Sequence, residues 1–159
     1  DLSEEEAYSW TAFITNAIRA QDPSRKIFSG MHSLELEKGW TIQDQGELTD
    51  ELTTHPYPYW VEHCLVDPLT SCRTLLHATA QTQYYATISQ KPCLVEEIGG
   101  MGPMIADEEH TAQFMRANLF SNWANGATGL LWWCAHDQTK LTAPPYDWNM
   151  CERELGMLV

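Results

Sequence analysis

Basic residues are scarce in this sequence. Nine Lys and Arg stand against 22 Asp and Glu, leaving 159 residues with a net charge of −13 at pH 7 and a pI near 4.6. Such a chain repels phosphate backbones and anionic lipid surfaces, so neither a nucleic-acid partner nor a membrane is expected. Long apolar runs are also missing. Uninterrupted apolar stretches such as Gly129 to Ala135 fall far short of the ~20 residues that a bilayer span needs. No basic segment followed by an apolar one opens the chain, so no signal peptide is visible. Cysteines are few and unpaired in pattern: Cys64, Cys72, Cys93, Cys134 and Cys151 make an odd count without a C-x-x-C. That argues against a disulfide framework and against a zinc site on paired cysteines. The thiols read as small buried hydrophobes, which suits a reducing, cytoplasmic setting and leaves a secreted parent open. The phosphate-loop, dinucleotide, zinc-protease and nucleophile-elbow signatures are all absent.

What remains is ordinary globular material. Hydrophobic residues make up 43% and charged residues 19%, enough for a core. The length fits one domain or a piece of one. The chain opens without Met on Asp1-Leu2-Ser3-Glu4-Glu5-Glu6, at what reads as a helix start. Processing or truncation is therefore expected to have removed something upstream.

Ser3 with Glu6 has the form of a capping box, and Trp10, Phe13, Ile14, Ala17 and Ile18 follow at helical spacing. This predicts a helix over 3–20. Residues 26–31 then read as a short buried strand, and 32–49 as a long loop with a possible helical turn. A second strand spans 51–55, stopped by Pro56 and Pro58. A helix is expected from Asp67-Pro68 to about residue 89, and a third strand from Pro92 to Glu96, ended by Gly99-Gly100. A helix over 107–123 closes at Asn125-Gly126, and a fourth strand covers 129–134. The last residues, 152–159, start another helix or turn. Strands alternating with helices point to an α/β fold with a parallel sheet. The strand ends lie 23, 42 and 36 residues apart, around the roughly 31 residues of one unit in a (β/α)8 barrel.

Each strand ends in residues with chemical handles: Met31-His32-Ser33, His55-Pro56-Tyr57-Pro58, Glu96-Glu97-Ile98-Gly99, and Trp132-Trp133-Cys134 running on to His136-Asp137. In a parallel barrel all such ends meet on one rim, where the active site lies. A carboxylate, a Tyr hydroxyl, an imidazole and an indole face together suit a sugar ring.

Lys91-Pro92-Cys93-Leu94-Val95-Glu96-Glu97-Ile98-Gly99 resembles the seventh-strand motif of clan-A glycoside hydrolases. His55-Pro56-Tyr57-Pro58 resembles the sixth-strand His-x-Tyr of family 5, the β-mannanase and cellulase type. Gly129 through Trp133 resembles the eighth strand. The resemblance covers nearly the whole chain. It implies the C-terminal half, strands five to eight, of a (β/α)8 TIM barrel, with residues 1–159 as part of a single catalytic domain. It implies a retaining glycosidase in which Glu97 is the nucleophile, Tyr57 contacts it, His55 supports it, and Trp133, with Trp132 second, forms the floor of a sugar subsite. His32, His136 and Asp137 are weaker substrate-binding candidates, and Trp40, Tyr59 and Trp60 are candidates for outer subsites. By strand alternation Glu96 is expected to point away from Glu97 and to pair with a cation or face a helix. The implied partners are an oligo- or polysaccharide and the other half of the barrel; no cofactor or metal is needed.

The family's acid/base comes from an Asn-Glu pair on strand four, and no Asn-Glu dipeptide occurs here. It would lie in the absent half. Each candidate also has a plainer alternative: a solvated carboxylate, a turn histidine before proline, a rim tyrosine, a core tryptophan. A non-catalytic carbohydrate-binding barrel is the rival reading, and a barrel of unrelated chemistry is a third. A half-barrel exposes sheet edges, which invite association. Residues 1–159 expressed alone should therefore aggregate or oligomerise in size-exclusion chromatography; a monomer with a cooperative melt would contradict the half-barrel expectation.

Overall fold

A computed structural model describes residues 2–31, 34, 39–58, 67–99 and 108–133. The elements run α1 (Glu4–Gln21), α2 (Ile42–Leu48), β1 (Leu52–Thr54), α3 (Cys72–Ser89), β2 (Cys93–Ile98), α4 (Glu108–Ala124) and β3 (Leu130–Trp132). The three strands form one parallel sheet in chain order. No helix among the described residues is long and apolar enough to cross a membrane.

The capping box forms as the sequence indicates. Ser3 Oγ accepts from the Glu6 N–H at 3.3 Å, while Glu6 Oε2 accepts from the Ser3 N–H at 2.9 Å. Gly126 closes α4 at φ +88°, a left-handed backbone that a side chain would strain. The strand expected from Pro92 to Glu96 runs on to Ile98, and three other segments differ more from the sequence reading. The strand expected at 26–31 survives as a single parallel bridge, Phe28 to Glu51; its neighbouring Ile27 carbonyl accepts from the Asp50 and Glu51 N–H groups. The loop expected at 32–49 contains α2, capped by Thr41. The helix expected from Asp67 begins at Cys72, because Ser71 takes the cap and accepts from the Thr74 N–H at 3.2 Å. Asp67 instead holds Arg73 through two 2.7 Å bonds.

Alternation along each strand divides the sheet into two faces. One face meets the helices. Leu52 and Cys93 pack with Tyr85 of α3, while Val95 and Ile98 pack with Ala78 of α3 and Phe114 of α4. Phe114, Tyr85, Leu52, Ile98 and Val95 are almost fully buried, each worth about 2 kcal/mol over exposure. The Thr54 and Thr82 hydroxyls meet at 3.1 Å on the same side, satisfying two buried polar groups. Burial pushes the Cys93 thiol up to about 12, so it is an inert packing residue. α2 reaches α3 closely: a Cβ on Gly46 would stand 2.6 Å from the Ser89 Cβ.

The other face carries Thr53, Leu94 and Leu131. Thr53 lies beside Ser29, hydroxyl to hydroxyl at 3.2 Å. At the N-terminal end of the sheet the buried Glu51 accepts from Lys26 Nζ at 2.5 Å and from the Thr128 hydroxyl at 3.0 Å. One carboxylate thus ties the 26–29 segment to β1 and to the entry of β3.

Asp50 tests the same corner. Its Oδ2 accepts from the Ile27 N–H at 2.8 Å, and Arg19 lies 3.4 Å from Oδ1. The Ile27 N–H, with Arg19 behind it, holds the Asp50 carboxyl below its usual range despite partial desolvation. A depressed carboxyl stabilises the fold above its unfolded pKa and ceases to do so as pH falls through the folded value. With its side chain 37% exposed, D50A in the full-length protein should cost only about 1 kcal/mol at neutral pH. The difference from the parent should shrink as pH falls below about 4. Urea melts across pH measure this; a constant difference would contradict it.

Candidate active site

The site begins with register. β1 pairs with β2 as Leu52 to Cys93, Thr53 to Leu94 and Thr54 to Val95. One step further sets His55 beside Glu96, both on the face away from the helices. The His55 Nε2 and Glu96 Oε2 atoms lie 3.0 Å apart.

Glu97 reaches the same place by a different route. β2 pairs with β3 as Val95 to Leu130 and then Ile98 to Trp132. Three steps on β2 therefore match two on β3, and Glu96 and Glu97 together oppose Leu131. One extra residue in a strand is a bulge, which bends the strand and re-aims a side chain. Val95 and Ile98 both remain in the helix-facing core, three residues apart. The two residues between them are only half-buried, and both carboxylates reach His55: Glu97 Oε2 lies 3.6 Å from Nδ1. Simple alternation thus fails at Glu97, which joins Glu96 on the open face. Glu96 neither faces a helix nor points away from Glu97, and its partner is the His55 ring.

Tyr57 completes the cluster. Pro56 and Pro58 carry the chain away from β1, and the Tyr57 ring packs into the core with Leu69, Val95 and Ile98. Its hydroxyl donates to Glu97 Oε2 at 3.4 Å, a long bond. Glu97 Oε2 therefore faces both a phenol and an imidazole. The side chains of His55, Glu96 and Glu97 are 12%, 31% and 32% exposed. The cluster is open enough for a ligand to touch and held by a buried frame.

The two tryptophans separate by face. Trp132 packs against the core cluster of Val95, Ile98 and Phe114. Trp133 is exposed, while its N–H donates to the Ile98 carbonyl at 2.9 Å, fixing it beside the end of β2. Alternation places it with Leu131 on the side opposite Trp132. Trp40, an expected outer subsite, instead packs edge-on against Trp10, with ring centroids 5.7 Å apart, and against the core around Ile42 and Tyr85. His32, His136, Asp137, Tyr59 and Trp60 lie outside the described residues. So do Cys64, Cys134 and Cys151, Gly100 and the expected terminal helix. Among the described residues no group of three His, Cys, Asp or Glu side chains is arranged to hold a metal ion.

No protein-family model matches the sequence, and no curated protein does. Solved structures do. An exo-beta-1,4-mannosidase, Op5Man5 from Opitutaceae bacterium strain TAV5, aligns with a TM-score of 0.75 at 26% identity over 91% of this chain and 27% of its own. GH5_18 from Streptomyces cattleya, in complex with GlcNAc, aligns at 0.77 with 18% identity over 94% of this chain and 38% of its own. A Glycoside Hydrolase Family 5 Mannosidase from Rhizomucor miehei aligns at 0.60 with 16% identity over 90% and 43%. The chain resembles a segment of family 5 glycoside hydrolases. It spans well under half the length of these family 5 structures, and nearly all of it takes part in the match.

Proposed function

We propose that this chain is the C-terminal half, strands five to eight, of a (β/α)8 barrel in a single-domain retaining glycosidase acting on β-linked mannosides or related β-glycans. The observation that carries the reading is the convergence of Tyr57 and His55 on one oxygen of Glu97, at the C-terminal tips of β1 and β2. Parallel sheets present their chemistry at that end. The likeness to an exo-beta-1,4-mannosidase and to a GH5_18 variant crystallised with Manb1-4GlcNAc supports the β-mannoside class.

In this reading Glu97 attacks the anomeric carbon as the bond to the leaving oxygen breaks. An acid from the other half of the barrel protonates that oxygen. The resulting glycosyl-enzyme is opened by water, activated by the same group acting as base. The two carboxyl groups would stand about 5–5.5 Å apart, as retention requires. Tyr57 fixes the direction of the Glu97 carboxylate, so the attacking lone pair is aimed before substrate arrives. His55 holds the other flank. Trp133 offers an exposed indole at the end of β3, suited to the apolar face of a sugar ring. No cofactor enters the reaction.

The test is the full-length protein with E97A. Hydrolysis of an aryl β-mannoside should fall by about 10⁴-fold or more, with the circular dichroism spectrum and melting temperature retained. Turnover within tenfold of the parent would remove Glu97 from the role.

A further inference from the structure

Glu96 has no part in the chemistry proposed above, yet it approaches the His55 ring more closely than Glu97 does. Its Oε2 lies 3.0 Å from His55 Nε2, against 3.6 Å between Glu97 Oε2 and Nδ1. An ionised carboxylate only accepts, so a hydrogen bond at 3.0 Å fixes a proton on Nε2. The imidazole turns about its Cα–Cβ and Cβ–Cγ bonds, and the contact with Glu96 restricts both rotations. With Nε2 anchored, Nδ1 is turned toward Glu97. The backbone assists: Pro56 restricts the conformation of position 55, and the His55 side chain is only 12% exposed.

We propose that Glu96 is a positioning residue: it holds the His55 ring, and its proton on Nε2, so that Nδ1 faces the Glu97 carboxylate. This rests on the reading of Glu97 as nucleophile. The bulge is what makes the device possible. A regular strand would send two adjacent side chains to opposite faces; with one extra residue between Val95 and Ile98, both carboxylates address one ring. Glu97 then accepts from the Tyr57 hydroxyl on one side and meets the Nδ1 edge of the His55 ring, oriented by Glu96, on the other. The arrangement corresponds to a general rule for catalytic histidines, in which the hydrogen bond at one ring nitrogen decides what the other can do.

The test compares E96Q and E96L with the parent in the full-length protein, using ¹⁵N-labelled histidine and steady-state kinetics on an aryl β-mannoside. In the parent, the His55 resonances should report Nε2 protonated. E96L should lose that fixed state and lower kcat by about 10–100-fold with KM changed less than threefold, the scale expected when a reacting group is misplaced by about 1 Å. E96Q keeps an acceptor oxygen of the same reach and should recover much of both signals. Unchanged His55 resonances in E96L overturn the proposal, whatever the rate does. Altered resonances with kcat unchanged also overturn it, while leaving Glu97 in place. A parent with no glycosidase activity but with the resonance change would refute the glycosidase reading and leave the Glu96–His55 coupling standing.

Discussion

A single slipped register sets the geometry of the polar cluster in this chain. Between Val95 and Ile98, β2 spends three residues where β3 spends two. Without that extra residue, one of the two adjacent glutamates would turn toward α3 and α4, into a core made of Tyr57, Ala78, Val95, Ile98 and Phe114. A charge there without a partner costs several kcal/mol. The slip keeps Val95 and Ile98 in the core and leaves both carboxylates at the open face. Fold stability and site geometry therefore agree on the same irregularity, which is why it can persist.

The rest of the scaffold holds that strand in place. β1 fixes the near side through regular pairing from Leu52 to Thr54, so that His55 arrives level with Glu96. Trp133 fixes the far side by donating to the Ile98 carbonyl. At the opposite end of the sheet, Glu51 joins Lys26 and Thr128 across three segments. The lower end of the sheet is thus tied by side chains, and the upper rim is polar. Outside this frame, apolar surface remains: Trp10, Phe13 and Ile18 on α1, and Phe120 and Trp123 on α4, are exposed.

Much of this was readable from residue types alone. Helix α1 announces itself through Ser3 and Glu6, and β2 through the apolar run that ends in two glutamates. The contact between Tyr57 and Glu97 was implied by motif resemblance, and the structure brings the two together. Other features were hidden for physical reasons. A helix as short as α2 carries too few turns to show a periodic pattern, and it is held by Thr41 and by the close approach of Gly46 to Ser89. The first strand shrinks to one bridge because its pairing is carried by the Asp50 and Ser29 side chains as much as by the backbone. The bulge could not be seen at all, since it depends on the relation between two strands and not on either sequence. Two adjacent glutamates ahead of Ile98 and Gly99 were the only hint.

The central claim is that the slipped strand delivers Glu97, and not Glu96, to an anomeric carbon. Trapping measures it directly. The full-length protein incubated with an activated 2-deoxy-2-fluoro-β-mannoside should gain the mass of one fluorosugar. Peptide mapping should place that ester on Glu97, with Glu96 unmodified. An ester on Glu96, or stoichiometric labelling at a residue outside this cluster, would contradict the account.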